Sequence, residues 1–539
     1  MPYMMYLRVL LSGMLLGGVL FGLPGSAAAT ASAVVDREVD STRTHEAEAG
    51  PMHADEALLL TRSAPAQHHL RAAHEALHRY RIDTAHAHLD TLAAHSDGYW
   101  AAPHGRALVA LFQAFMTEED TYFEDVDTHA NALRDALNQA PDSGSPWVAH
   151  MQGEADLMRA LVAAREGSYI RAAWRARSAF RTLRRNTERH PDFAESRLGV
   201  GLMRYTVGVL PGRYQRVLRI IGFQGDAERG LADLREAAEA STINAVFAEA
   251  AIGLMRNAVE RDTDAAVPHL EAAYERYPDS PLWAYVYGFA LMENRQVDRA
   301  YEVLTHGLEQ VEAGATPVSF LHFFRGRVAF AREDYQAAQD ALRTYIDRHA
   351  GRALMPPAHL YLGLATELVD GWEAARSYYE QVSDDREFDE DAALERWAER
   401  RLQGPMLEVD RALLSARNAY DSARYETALE QLQTLLNQNT LSAEQRAEVH
   451  YRKGRVYQAQ NAFNSALAHY ASARSHTDRT SNAQWGAWSW YHAGTVYRDQ
   501  QRPGAAAHAF EAAMDWPTPY DYHEGLHQAA RIALSRLDA

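Results

Sequence analysis

The chain has 539 residues, 47% of them hydrophobic, enough to bury a large interior as several compact domains or as one long array. Its formal charge is −18, and an acidic surface repels phosphate backbones, which argues against a nucleic-acid partner. It contains no cysteine, which excludes disulfides, thiolate metal sites, thiol nucleophiles and a lipid-anchored cysteine.

The N-terminus reads as a secretory signal over residues 1–33. Arg8 supplies the charge, Val9 to Leu23 the apolar stretch, and Ser26 to Ala33 the small residues, with A-x-A options ending at Ala29, Ala31 or Ala33. The apolar core is shorter than the ~20 residues of a spanning helix, although an uncleaved anchor is the alternative. Residues 34–67 are polar and read as a flexible leader. The signal predicts export to the periplasm or envelope, and no later stretch is apolar enough to span a bilayer.

From there the pattern is helical. Apolar residues recur every three to four positions, and strand and hairpin signals are nearly absent. Residues 68–190 repeat loosely. Residues 191–243 carry an interrupted unit, 244–403 a regular central array and 404–539 a C-terminal array. Gly288, Ala300, Leu304 and Gly307 set a beat that returns at Gly326, Ala338, Leu342 and Tyr345, then at Gly363, Ala375, Tyr379 and Val382. It continues at Ala416, Ala428, Leu432 and Leu435, at Gly454, Ala466, Tyr470 and Ala473, and at Gly494, Ala506, Phe510 and Ala513. Small residues permit close helix crossing, and the large residue of each unit is expected to cover the next unit's first helix. The acidic stretch Ser383 to Asp391 and the pair Gly404-Pro405 predict a loop, an extra helix and a boundary near 404.

These offsets resemble the tetratricopeptide repeat, whose period is near 34. The resemblance implies an all-α fold, a right-handed α-solenoid of about nine to eleven degenerate tetratricopeptide-like helix pairs. Between Gly201 and Gly230 the beat is broken by an insertion. Leu210-Pro211, Ile220-Ile221-Gly222-Phe223, Gly225-Asp226 and Arg229-Gly230-Leu231 resemble the inclusion-body clearance tetratricopeptide family and exported bacterial relatives, with no arginine directly after Asp226. That family implies interaction and adaptor roles and supplies no catalytic residues. Physically, Pro211-Gly212 breaks the helix, Tyr214 to Phe223 reads as a short amphipathic helix and Asp226 can cap the helix after it. The insertion reads as a wedge in the solenoid core, with docking of residues 211–223 on a membrane surface or on a partner as alternatives.

Two H-E-x-x-H stretches, His74 to His78 and His523 to His527, would place two histidines on one helix face, as zinc hydrolases do. Neither carries the longer H-E-x-x-H-x-x-G-x-x-H form, and no convincing third ligand follows the second motif within twelve residues. A zinc hydrolase using His74, Glu75 and His78 is therefore the opposing class to a scaffold. His86 and His88 on the following helix make a histidine cluster with His74 and His78 the better metal candidate. No Walker loop, dinucleotide fingerprint, nucleophile elbow or calcium loop is present, so neither a catalytic residue nor a cofactor is expected.

In tetratricopeptide arrays the first helices line the concave side. The positions that the resemblance marks as contacts include Tyr285, Phe289, Phe320, Phe323, Arg327, Arg417, Tyr420, Tyr451, Arg455, Trp488, Tyr491 and Arg498. Aromatics alternating with arginines suit an extended protein or peptide segment with apolar and acidic groups. The expected function is an exported, non-catalytic interaction scaffold.

Overall fold

The computed structural model describes residues 63–537, apart from 97, 140–143, 210–222, 224, 261, 312–317, 383–388, 439, 478–483 and 518–519. The described residues hold 24 helices and no strand, and the fold is an all-α solenoid. The expected signal and leader lie outside these residues except at the leader's end, where the first helix already begins. The same holds for the expected insertion helix, of which only Phe223 is described. Among the described residues no helix is long and apolar enough to cross a membrane.

The helices succeed one another as hairpins. The first five pairs are α1 (Ala64–His78) with α2 (Ile82–Ala93), α3 (Ala102–Thr117) with α4 (Asp120–Leu137), α5 (Pro146–Arg165) with α6 (Tyr169–Arg189), α7 (Glu195–Gly208) with α8 (Ala227–Ala240), and α9 (Ala245–Ala258) with α10 (Thr263–Arg276). Then come α11 (Pro281–Glu293) with α12 (Val297–Glu309), α13 (Phe320–Ala331) with α14 (Tyr335–Arg348), and α15 (Met355–Val369) with α16 (Trp372–Glu380). A single helix α17 (Asp389–Leu402) precedes α18 (Glu408–Asp421) with α19 (Tyr425–Leu436), α20 (Ala443–Ala459) with α21 (Phe463–His476), α22 (Trp485–Asp499) with α23 (Pro503–Met514), and a final α24 (His523–Ser535).

The glycines of the beat are sockets. A Cβ at Gly288 would lie 2.5 Å from Leu304, at Gly326 2.7 Å from Leu342, at Gly454 2.5 Å from Tyr470 and at Gly494 2.6 Å from Phe510. The large residue therefore fills the space over the glycine of its own pair, which corrects the expectation that it covers the next one. Three positions on, Gly307 lies between its own pair and the next: a Cβ there would be 2.5 Å from Ala284 and 3.3 Å from Leu321.

Turns inside the pairs share a second device. Arg295, Glu333, Ala423, Asn461 and Gln501 all have positive φ, between 54° and 65°, while Gly371 takes a different conformation open essentially to glycine alone, at φ 94° and ψ 167°. The left-handed conformation costs a side-chain-bearing residue roughly 1–2 kcal/mol. Ala423, at φ 54°, is exposed. The Ala423→Gly variant is expected to be about 1 kcal/mol more stable in urea titration, whereas Gly371→Ala should lose about 1–3 kcal/mol.

The chain divides into two compact units, one reaching Trp283, the other formed by Ala284–Glu309 and Ser319 onward. In the N-terminal unit the first helices also touch in sequence, α1 to α3, α3 to α5, α5 to α7 and α7 to α9, so they share one side. The array then meets its own start. The His78 ring stacks on Tyr277 with centroids 4.9 Å apart and lies 4.3 Å from Phe247. Ser280 Oγ donates to the His78 carbonyl at 2.7 Å, Tyr277 donates to Glu75 at 2.9 Å, and Arg79 pairs with Asp279.

Within this unit the interrupted pair is bound backbone to backbone. The Asp226 amide donates to the Arg204 carbonyl at 3.0 Å, and the Asp226 side chain caps α8 through the Arg229 amide at 3.0 Å. A buried Arg204–Asp233 ion pair ties α7 to α8. Phe223, the described end of the insertion, stacks on Phe180 at 4.7 Å.

The C-terminal unit also curls tightly, because α13 contacts α18 across the intervening α14, α15, α16 and α17. Ser422 Oγ donates to the Ala331 carbonyl at 2.8 Å, and Ser415 to Glu333 at 2.7 Å. The Gly404-Pro405 break lies inside this unit and is not its boundary. Trp372 donates to the Arg401 carbonyl at 2.6 Å, and buried Glu367 accepts from the Met406 amide and from Tyr379, which holds the break in place.

Candidate functional site

Arg327, Arg417 and Arg455 each come directly after a socket residue on a first helix, Gly326, Ala416 and Gly454. That register turns them away from their own hairpin partner, and all three are half-buried. The Arg327 guanidinium lies 3.7 Å from the centre of the Tyr361 ring. Arg417 donates to the same tyrosine's hydroxyl at 2.7 Å and pairs with Asp421 at 3.5 Å. Arg455 donates to the Tyr420 hydroxyl at 2.9 Å and to Tyr451 at 3.4 Å, with His492 Nε2 3.1 Å away. Arg295, from a left-handed turn, reaches the Tyr420 hydroxyl at 3.3 Å and Tyr425 at 3.2 Å.

Two guanidiniums therefore share one phenol. Among the described residues neither Arg295 nor Arg455 has a carboxylate within ion-pair distance; their partners are phenols and an imidazole. A guanidinium offers five donors in a rigid fork suited to carboxylate or phosphate oxygens. Held half-buried in a chain of charge −18, such a pair can receive an anionic group.

The structure does not bring all the expected contact residues to this place. Tyr285, Phe289, Phe320 and Phe323 are buried to 1% exposure or less. Tyr285 stacks on Phe320 at 5.6 Å, Phe289 meets Phe324 at 5.3 Å and Phe323 meets Tyr345 at 5.3 Å. They form the wall between successive pairs and are removed from the arginine–tyrosine face. Trp488 and Tyr491 sit at its rim, mostly buried, against His492 and Phe510. Arg498 is exposed and pairs with Asp499 at 2.9 Å, so it does not join the arginine group. Tyr420 and Tyr451 do belong, as acceptors for Arg455. The residues missed by the sequence reading are Arg295, Tyr361, Tyr425 and His492. Arg295 occupies the turn position seven after the socket glycine, a regular offset that could have flagged it.

The histidine motifs resolve differently. His74 and His78 face inward on α1, while Glu75 accepts from Arg79 and Tyr277. His74 is next to His104, with ring centroids 6.5 Å apart, and no protein group lies within hydrogen-bond distance of either of its ring nitrogens. Burial, reinforced by repulsion from His104, pushes its pKa down to about 3; burial brings His78 down to about 4. His88 instead meets His69, with Nδ1 atoms 3.1 Å apart, and His86 is half-buried on the same helix. The four histidines therefore do not form one cluster. Among the described residues no group of three histidines or carboxylates is placed to hold a metal ion. The second motif, on α24, has His523 Nδ1 at 3.2 Å from the Tyr520 carbonyl and no assembled ligand set.

Among solved structures, the chain is similar to YrrB, described as a TPR protein with an unusual peptide-binding site, at 12% identity over 50% of this chain and 98% of that one, with a TM-score of 0.19. It is similar to the TPR2AB domain of yeast Sti1 in complex with pHSP90, at 14% identity over 48% and 98%, TM-score 0.20. It is also similar to human IFIT1, as a dimer with m7Gppp-AAAA, at 16% identity over 86% and 92%, TM-score 0.28. Residues 151–349, which contain the interrupted pair, match the family model described as Iml2/Tetratricopeptide repeat protein 39. The chain is a tetratricopeptide-like repeat protein that resembles the Iml2 family.

Proposed function

We propose that this chain is an exported, non-catalytic scaffold that seats an extended protein or peptide segment bearing acidic groups against the arginine–tyrosine face of its C-terminal unit. The reading rests on one observation: Arg295 and Arg455 flank the Tyr420 hydroxyl and, among the described residues, have only neutral partners. A tetratricopeptide-like fold suits such a role, because its first helices offer a continuous surface. The rings of Tyr361 and Tyr451 lie beside the guanidiniums and are themselves buried, so the acidic groups of the ligand carry the recognition. The signal-like segment ending by Ala33 supports action in the periplasm or envelope.

The test is fluorescence anisotropy with labelled decapeptides alternating glutamate and leucine, compared with the same peptides carrying glutamine. The acidic peptide is expected to bind and to weaken with salt. The double variant Arg295→Gln/Arg455→Gln should bind at least ten-fold more weakly, with unchanged circular dichroism, while Arg498→Gln should match the wild type. Equal affinity for the glutamine peptide, or full affinity in the double variant, refutes the proposed face.

A further inference from the structure

The N-terminal unit contains a cavity of about 100 Å³ bounded by α3, α5, α7 and α9. Its lining is leucine, methionine, phenylalanine, alanine and one glycine, with two exceptions: Glu154 and Asn244. Leu108, Leu157, Leu198 and Phe247, one from each of the four helices, are half-buried, so the cavity opens on the side that the first helices share. An apolar cavity of this order takes a guest about the size of a single ring, since one of about 150 Å³ accepts benzene.

Glu154 is the feature that packing alone does not explain. It is buried, yet it lines an otherwise hydrocarbon wall. Its Oε2 is 2.7 Å from His104 Nε2 and 3.5 Å from His150 Nε2, and its Oε1 accepts from Asn244 Nδ2 at 3.3 Å. Burial works to raise its pKa, but the neighbouring histidines prevail and hold it down at about 2. Burial also pushes the pKa of His74 and of His150 down. A carboxylate can accept about four hydrogen bonds, and Oε1 has a single long one from the protein. A buried anion with spare acceptor capacity beside an apolar space favours a donor of positive charge over any other polar group.

We infer that this cavity binds a small organic ammonium compound, its ring or short hydrocarbon body between the leucines and its N–H donors on the Glu154 carboxylate. The site is independent of the arginine–tyrosine face: it belongs to the other unit and has the opposite charge preference. A primary amine fits better than an alcohol, which brings one donor and no charge. A carboxylate is excluded by repulsion from Glu154.

Calorimetric titration of the full chain with three probes sharing a phenyl ring tests this: 2-phenylethylamine, 2-phenylethanol and 3-phenylpropionate. The amine is expected to bind at least ten-fold more tightly than the alcohol, and the carboxylate not at all. Leu157→Trp, which fills the cavity from a half-buried position, should abolish binding of the amine and the alcohol. Glu154→Gln should bring the amine to the alcohol's affinity. If that variant does not fold, the probe series and Leu157→Trp still decide the matter. Absence of saturable amine binding at millimolar concentration, equal affinities for the three probes, or amine binding that survives Leu157→Trp overturns the proposal.

Discussion

Acidification from pH 7 to pH 4 is expected to unfold the N-terminal unit. The cause is the pair of inward histidines on α1. In the unfolded chain each takes a proton near pH 6.5. In the folded chain burial holds His74 at about 3 and His78 at about 4. Below 6.5 the unfolded state thus binds more protons, and stability falls as pH drops through the window down to these folded values. At pH 4 the cost is about 3 kcal/mol for each histidine, a large share of the roughly 5–15 kcal/mol that holds a typical domain together. Glu154 acts in a lower window. Its folded pKa of about 2 gives stability that is present above about 4.5 and is lost as pH falls toward 2. His74→Leu keeps the volume, removes two buried nitrogens that lack protein partners and should shift the acid midpoint downward by about half a pH unit or more. Circular dichroism and tryptophan fluorescence against pH would check this. Superimposable curves for the variant and the wild type between pH 6.5 and 4 would defeat the assignment.

A second large effect is expected at Gly230. A Cβ there would lie 2.6 Å from the Tyr205 nitrogen and 2.8 Å from the Gly201 carbonyl oxygen. Both are helix backbone and cannot rotate aside as a side chain can. Overpacking of this kind typically costs about 1–3 kcal/mol, and a rigid neighbour puts Gly230→Ala at the upper end. Gly230→Leu should prevent the α7–α8 hairpin from closing. The control is Gly504→Ala, which meets nothing within 4 Å on helix α23 and should add about 0.5–1 kcal/mol. Urea midpoints of the three variants separate the effects, and equal midpoints for Gly230→Ala and Gly504→Ala would show that the backbone contact does not hold.

The helical beat was open to reading because it is local: a socket residue and its filler lie sixteen positions apart, as in Gly454 and Tyr470. The cap at Asp226 and the arginines at 327, 417 and 455 came from the same register. Which first-helix aromatics face outward could not be had that way. Tyr285 and Phe289 share the spacing of an exposed face, yet α11 is LWAYVYGFALM along most of its length and has no polar side. A helix apolar all round is buried all round, and that signal was the one to weigh. Arg295, Tyr361 and Tyr425 escaped because they come from turns or from other helices and meet their partners across long separations. Glu154 was unreadable for a similar reason, since His104 and Asn244 are 50 and 90 residues away from it.

The meeting of α1 with the segment around Tyr277 and Ser280 alters how this array can assemble. Ordinary repeat proteins are nearly one-dimensional: each module consults only its neighbours, folding can start anywhere, and end modules can be trimmed one by one. Here the Ser280–His78 and Tyr277–Glu75 hydrogen bonds span 202 residues. Such high contact order slows folding, because the chain must lose its loop entropy before the seam rewards it. It also makes the first five hairpins rise and fall as a single cooperative block, so removing α1 and α2 would loosen α9 and α10 at the far end.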